Sequence, residues 1–311
     1  MSPTPGHRPG PGHLAIVGPT ASGKSAVALE FARRHGDIEL VTVDSMQVYR
    51  GMDIGTAKPS AAERAEIPHH LLDLCDPDEE YTVARFQRDC LAVLADIESR
   101  GHRAVLVGGT GLYLQAITDG LEIPSRYPEI RAELEAEPET TVLHARLASL
   151  DPLAASRMEP TNRRRVIRAL EVTLGSGRPF SSFGPGLEDY PETPFPVFGL
   201  AIDRDVLDVR IATRYREQMA AGFLTEVEAL AARPAGIGRT ARQALGYAEL
   251  LDHLERGIPL DAALDTALVR TRRFARRQQR WFGRDPRITW IPTDGADPAN
   301  VVAEIAAGLV D

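Results

Sequence analysis

The chain has 311 residues, 43% of them hydrophobic and 26% charged, and a formal net charge of −8. These are ordinary globular values and exclude a fibrous or wholly disordered chain. No apolar run approaches the roughly 18 residues that a membrane helix needs, the N-terminus has no apolar signal core, and Cys75 and Cys90 are too few for a disulfide framework; a cytosolic protein with two reduced thiols and no membrane partner is expected.

In chain order, residues 1–12 carry four prolines and three glycines and read as a flexible tail. Residues 14–17 form a short apolar run that predicts a buried strand, with a helix from Lys24 to about Arg34. A second strand is predicted over 40–43, ending at Asp44. Residues 82–99 read as a helix with Val83, Phe86, Cys90, Val93, Leu94 and Ile97 on one face. A third strand over 104–107 ends in Gly108-Gly109. Strands alternating with helices predict a parallel sheet with helical crossovers, the α/β class, with ligands beyond the carboxyl ends of the strands.

The pattern changes near Gly120. Strand signals vanish and prolines 124, 128, 138, 152 and 160 break short helical stretches, so residues 121–190 read as a mainly helical insertion. It separates a first core segment, 13–120, from a second, 191–311. In the second, a strand is predicted over 195–202 and helices over 206–221, 224–232, 240–256 and 260–283. A final strand over 288–291 and a helix over 298–309 close the chain.

Gly18-Pro19-Thr20-Ala21-Ser22-Gly23-Lys24-Ser25 fits G-x-x-x-x-G-K-[ST] between a predicted strand and a predicted helix. In such a loop, backbone N–H groups and the helix N-terminus face phosphate oxygens. Lys24 adds a full charge, and the Ser25 hydroxyl is placed to ligate Mg²⁺. The motif reports a polyphosphate without saying which one. Gly108-Gly109 stands where a nucleotide hydrolase would carry its strand-end Asp. At Asp44 three roles stay open: a Mg²⁺ contact through water, a general base, or a turn cap. Thr110 is a candidate helix cap or phosphate contact. His69 and His70 point to opposite sides of an extended chain, which argues against a shared metal.

Basic residues are almost all arginine, and eight of them lie between Arg270 and Arg287 beside a single acid, Asp285. That segment is therefore +7 and the remaining chain −15. Arg270, Arg273, Arg277, Arg280 and Arg284 recur at intervals of three and four, so they line one stripe about 21 Å long on a helix, with Phe274, Gln278 and Trp281 on the core-facing seam. Arg163, Arg164, Arg165 and Arg168 form a second cluster. Two separate basic clusters point to a long polyanion such as RNA.

These segments together resemble the bacterial tRNA dimethylallyltransferases. The resemblance is carried by residues 18–25, Asp-Ser-Met-Gln-Val-Tyr at 44–49, Gly-Met-Asp-Ile-Gly-Thr-Ala-Lys-Pro at 51–59 and His-His-Leu-Leu-Asp at 69–73. Gly-Gly-Thr-Gly-Leu-Tyr at 108–113, Arg-Ala-Leu-Glu-Val at 168–172, Gln-Ala-Leu-Gly-Tyr at 243–247 and Arg-Arg-Gln-Gln-Arg-Trp-Phe at 276–282 complete it. It implies a monomer that transfers a dimethylallyl group from dimethylallyl diphosphate to N6 of adenosine 37, in the tRNA anticodon loop. It makes Asp44 the general base, sets Thr110 beside the reacting amine, and has Gly18 to Ser25, with Arg214 and Mg²⁺, neutralise the diphosphate. Arg210 and Arg216 compete with Arg214 for that role. The resemblance also implies tRNA contacts at Asp44, Ser45, Met46 and Gln47, at Thr110 and Arg131, at Arg164, Arg165, Val166, Ile167 and Arg168, and at Arg242, Gln243, Ala244, Leu245, Gly246 and Tyr247. Arg273, Arg277 and Arg280 of the stripe join them.

A P-loop kinase for a small metabolite, with Asp44 as base on a hydroxyl, explains residues 18–25 and 44 equally well. An RNA-binding ATPase is a third reading. The kinase leaves the arginine stripe and the long helical C-terminal half without a purpose.

Overall fold

A computed structural model describes residues 12–309, so the tail read over 1–12 lies, except for Gly12, outside the described residues. The chain divides into two compact units, Met1–Asp119 with Glu192–Asp311, and Gly120–Pro191. The first unit opens with β1 (Leu14–Val17), α1 (Lys24–Arg34), β2 (Ile38–Val43), α2 (Ala61–Glu66), β3 (His69–His70), α3 (Val83–Ser99), β4 (Arg103–Gly108) and α4 (Gly111–Thr118). The second unit holds α5 (Pro128–Ala136), α6 (Thr140–Leu150), α7 (Pro152–Ser156) and α8 (Arg163–Ser176). The first unit resumes with β5 (Val197–Ala201), α9 (Arg204–Ala220), α10 (Phe223–Ala231), α11 (Tyr247–Arg256), α12 (Leu260–Phe282), β6 (Ile288–Pro292) and α13 (Pro298–Ala307).

The six strands form one parallel sheet in the order β3-β2-β4-β1-β5-β6. The all-apolar run of β1 follows from its central place, where both faces are covered. Alternate residues point to opposite cores. Leu14 and Ile16 pack with α1 and α13 residues such as Phe31 and Val301, whereas Ala15 and Val17 join the larger core that includes Phe86, Tyr113, Phe223 and Tyr247. On α3 the innermost residues are Phe86, Cys90, Leu94 and Ile97, with Val83 and Val93 at the margin of the same face. β1, β2 and β4 sit side by side, so their carboxyl ends bring Gly18, Asp44 and Gly109-Thr110 to one edge of the sheet.

The structure alters two parts of the sequence reading. The helix predicted over 240–256 is a short 3₁₀ turn, Ala241–Gln243, followed by α11. Gly246 breaks the run with φ 85°, a conformation that suits glycine, and its N–H is capped by Glu249 Oε2 at 2.8 Å. The short α2 and α4, which the periodicity did not announce, are too brief to show a clear hydrophobic period; α2 starts with a Ser60/Glu63 capping box.

The second unit has its own core of Leu134, Leu143, Leu147, Val166, Ile167 and Leu170. Glu171, buried in that unit, accepts from the Tyr127 N–H at 2.9 Å and pairs with Arg168 at 3.0 Å and Arg131 at 3.3 Å. Such a charge needs these partners to remain inside.

Candidate active site

A cavity of about 260 Å³ opens at the strand ends of the first unit. Thr20, Lys24 and Ser25 form one wall, Asp44 and Gln47 another, and Arg214, Phe274 and Gln278 close it. The phosphate loop that builds the first wall is held in an unusual shape. Ala21 has φ 63°, a left-handed conformation that a non-glycine residue keeps only when its surroundings enforce it. The enforcing contacts come from α9 and α12: Arg210 Nη1 donates to the Ser22 carbonyl at 3.3 Å, Arg214 Nη1 to Thr20 Oγ1 at 3.0 Å, and Gln278 Oε1 accepts the Thr20 N–H at 2.9 Å. Ser22 Oγ is buried within the loop and, among the described residues, has no partner.

The electrostatics are positive and poorly solvated. Lys24 Nζ donates to the Pro19 carbonyl at 3.2 Å. Lys24 is only partly covered, yet the surrounding protein desolvates its ammonium and lowers its pKa to about 8; Asp44 opposes that shift and Arg214 adds to it. Desolvation also holds the Arg214 guanidinium below its ordinary value. Of the three competing arginines, Arg214 is the one that lines the cavity; Arg210 braces the loop backbone, and Arg216 is exposed and bonds Thr213 Oγ1 at 2.9 Å.

Asp44 ends β2. Its Oδ1 accepts the Met46 N–H at 2.8 Å and, more weakly, that of Gln47 at 3.4 Å, so this oxygen does cap a turn. Its Oδ2 has no hydrogen-bond partner among the described residues. Thr110 does not cap α4 with its side chain; its Oγ1 instead accepts the Ser45 N–H at 3.3 Å. Thr110 and Asp44 are therefore joined through Ser45.

The loop over 51–59 is clamped from two helices and from the Asp44 turn. Glu226 on α10 accepts the N–H groups of Asp53, Ile54 and Gly55 at 2.9, 2.7 and 3.2 Å and the Tyr247 hydroxyl at 2.6 Å. Gln218 on α9 donates to the Ile54 and Gly55 carbonyls. Gln47 donates to the Thr56 and Ala57 carbonyls, which ties this loop to the Asp44 turn. Lys58, the second lysine, also lines the cavity, with its side chain buried and paired with Asp53 and Asp73. His70 pairs with Glu39 at 2.6 Å, while His69 bonds the Ile67 carbonyl and is kept below its ordinary pKa by burial. Among the described residues no cluster of three or more His, Cys, Asp or Glu side chains suits a metal ion, and Ser25 is exposed on the first turn of α1.

The remaining sequence candidates divide by burial. Arg273, Arg277 and Arg280 are exposed on α12 and have no acidic partner among the described residues; Arg277 lies 5.6 Å from the Phe274 ring centre. The local charge of +7 overstates what α12 offers. Arg270 pairs with Glu249, Arg272 with Asp208, and Arg287 with Asp119 and Asp285. In the second unit Arg164 and Arg165 are exposed and have no acidic partner among the described residues, whereas Arg131 and Arg168 are engaged by Glu171. Val166 and Ile167 are 0% and 2% exposed, so their side chains form core, not a tRNA-facing surface. Ala244, Gly246 and Tyr247 are likewise buried, Leu245 is half-buried, Gln243 is exposed and Arg242 pairs with Glu255. Gln278, Gln218 and Glu226 escaped the sequence reading as site residues; the one signal for Gln278 was an amide on an otherwise apolar seam.

The fold is α/β of the P-loop type, a parallel sheet with the glycine-rich loop between β1 and α1. The IPP transferase family model matches residues 47–285, and the chain belongs to that family. It is 48% identical to a tRNA dimethylallyltransferase of Kineococcus radiotolerans over 94% of each chain, and 45% identical to one of a Nocardioides species over the full length of both. The structure is similar to the tRNA isopentenylpyrophosphate transferase of Bacillus halodurans, at 37% identity and TM-score 0.71, over 97% of this chain and 96% of that one. It is also similar to a eukaryotic dimethylallyltransferase acting on tRNA, at 26% identity and TM-score 0.76, over 91% of this chain and 74% of that one. The kinase reading is not favoured. Among the described residues no helix is long and apolar enough to cross a membrane.

The lowered Lys24 pKa has a testable sign. A lysine at about 8 in the folded protein and 10.5 unfolded binds fewer protons when folded between those values, so stability rises with pH there and Lys24 is a cost near pH 7. Lys24→Met should therefore raise the melting temperature of the ligand-free protein near neutral pH. The gain should shrink as pH passes from about 8 to 10.5. The same variant should bind inorganic diphosphate about 10–100-fold more weakly, the worth of a hydrogen bond to a charged group. Thermal melts across that pH range and a diphosphate titration test both; a gain independent of pH would contradict the desolvation account.

Proposed function

We propose that the chain is a tRNA dimethylallyltransferase, taking dimethylallyl diphosphate as donor and N6 of adenosine 37 in the anticodon loop as acceptor. The observation that carries this reading is one cavity in which a phosphate loop with Lys24 and Arg214 faces the carboxylate of Asp44. The names of the relatives agree with it. Cytosolic placement and action as a monomer belong to the same proposal.

The reaction is a substitution at the allylic carbon. The N6 lone pair forms a bond to that carbon, the bond from carbon to the bridging oxygen breaks, and diphosphate leaves with the electron pair. The N6 proton passes to Asp44, whose Oδ2 is available while Oδ1 stays bonded to the turn. An aromatic amine is a weak nucleophile, and a positioned base is worth about 10²–10⁴-fold. Lys24, Arg214 and the N-terminus of α1 stabilise the charge that develops on diphosphate. An unmatched hydroxyl donor at Ser22 within the loop suits the same anion. Thr110, whose Oγ1 accepts the Ser45 N–H next to Asp44, would sit beside the reacting amine. Docked RNA would exclude water from the allylic centre.

Magnesium fits this donor set, because Mg²⁺ keeps waters and takes substrate phosphates plus one or two protein oxygens. Ser25 Oγ would hold it. When bound, it neutralises phosphate charge as a Lewis acid.

RNA would lie on Arg273, Arg277 and Arg280, with Arg164 and Arg165 as further contacts. Extrusion of the base from the loop into the enzyme would bring N6 to the cavity.

Incubation with labelled dimethylallyl diphosphate and unmodified tRNA, alongside ATP, tests the reading. Label in RNA supports it, and ADP formation in its place supports a kinase or an RNA-dependent ATPase. Asp44→Ala should lower the single-turnover rate at saturating substrates by about 10²–10⁴-fold. A loss below about tenfold would place the base elsewhere. Replacing Arg273, Arg277 and Arg280 together by Gln should weaken tRNA binding and flatten its salt dependence, by up to about 0.9 for each phosphate of duplex-like RNA that is no longer neutralised, while diphosphate affinity holds. Unaltered tRNA affinity and slope in a folded triple variant would leave Arg164 and Arg165 as the docking surface.

A further inference from the structure

Gln278 lies on the inward side of α12 and is 7% exposed. Its Oε1 accepts the Thr20 N–H at 2.9 Å, and its Nε2 donates to the Gly109 carbonyl at 2.8 Å. Those partners fix the sense of the amide, because a backbone N–H only donates and a carbonyl only accepts. Thr20 belongs to the phosphate loop after β1, and Gly109 precedes Thr110 in the turn after β4. One side chain thus bridges two loops whose strands are neighbours but whose chain positions are about ninety residues apart.

A side chain that only filled space here would be apolar, since a buried amide is costly unless its groups are matched. Both are matched, and by groups that would otherwise be unpaired. Gly109 is shaped around the amide: a Cβ there would come within 2.2 Å of Gln278 Nε2. The contacts continue on either side. Thr20 Oγ1 takes the bond from Arg214, and Thr110 Oγ1 takes the bond from Ser45, next to Asp44. The amide therefore stands between the anion-binding half of the cavity and the half that holds the carboxylate.

We propose that Gln278 is a positioning residue for prenyl transfer, which fixes the separation between the diphosphate loop and the Thr110 loop and anchors both to the helix that carries Arg273, Arg277 and Arg280. The proposal rests on the transferase reading above. Transfer requires the allylic carbon, held through its diphosphate, to meet an amine held on the Asp44 side. A displacement of about 1 Å between such groups costs about 10²-fold in rate. RNA docks on the opposite, exposed side of the same helix, so removing the amide should disturb the reacting geometry and leave docking alone.

Gln278→Met keeps the length and removes both hydrogen bonds. It should lower single-turnover transfer by about 10²-fold and weaken binding of inorganic diphosphate, with tRNA affinity and the KM for tRNA unchanged. Gly109→Ala disturbs the same bridge from the other side and should show the same split; it decides the question if Gln278→Met does not fold, as judged by circular dichroism and melting. A folded Gln278→Met with the wild-type rate overturns the proposal. So does a loss of rate matched by an equal loss of tRNA affinity, which is what a packing role would produce. If the wild-type protein itself transfers no label from dimethylallyl diphosphate to tRNA, the transferase reading fails, and the diphosphate titration still judges the bridge: weaker binding by both variants supports it, and wild-type binding overturns it.

Discussion

The site depends on holding positive charge where water and acids do little to neutralise it. Lys24 and Arg214 face one cavity with the N-terminus of α1, and both are desolvated enough to fall below their ordinary pKa values. Asp44, the acid whose charge acts on both, has one carboxylate oxygen committed to backbone N–H groups. An arrangement of this kind is unfavourable when empty and is relieved by an anion. It has to be enforced by the rest of the molecule. That explains why the loop is braced by side chains from two helices more than 180 residues away in sequence, and why Ala21 accepts a left-handed backbone.

The parts of this design that were legible in the sequence are those carried by local pattern. The phosphate loop, the strand ends that point to Asp44 and Gly109-Thr110, and the three-and-four spacing of the α12 arginines each lie within a few residues. The helical period alone set Arg273, Arg277 and Arg280 on one face, and they are exposed together. What the pattern could not carry is pairing at a distance. Glu249, Asp208 and Asp119 neutralise Arg270, Arg272 and Arg287, and nothing near those arginines announces it. Val166 and Ile167 lie between arginines in a recognisable segment, yet the period of α8 turns them inward to Leu134 and Leu147. Gln278 reads as core because its position is core; only its partners make it part of the site.

The 51–59 loop shows the same logic at a second level. Its sequence is polar and rich in turn formers, so it carries few contacts of its own. Glu226 supplies an acceptor for three consecutive N–H groups, and Gln218 supplies a donor for the carbonyls that follow. Buried backbone groups need such partners. The Tyr247 hydroxyl donates to the same Glu226, and burial and the adjacent carboxylate raise its pKa. The segments at 51–59 and 243–247 are far apart in the chain, but they meet at one carboxylate. Tyr247 therefore acts on the cavity through Glu226 and the loop that Gln47 binds, as a support and not as a surface.

Net charge and local charge give opposite answers for α12, and the pairing pattern resolves them. A chain at −8 has ample acid to cover every arginine on that helix. The acids are spent on Arg270 toward the start of the arginine run, on Arg272 along its flank, and on Arg287 beyond its end. Arg273, Arg277 and Arg280 are left uncovered between them. At physiological salt, exposed charges beyond about 8 Å are largely screened, so the remote acids do not cancel this surface. The withheld pairs, more than the number of arginines, are what make this face of the helix suited to a polyanion, and the buried face of the same helix carries the amide that holds the phosphate loop.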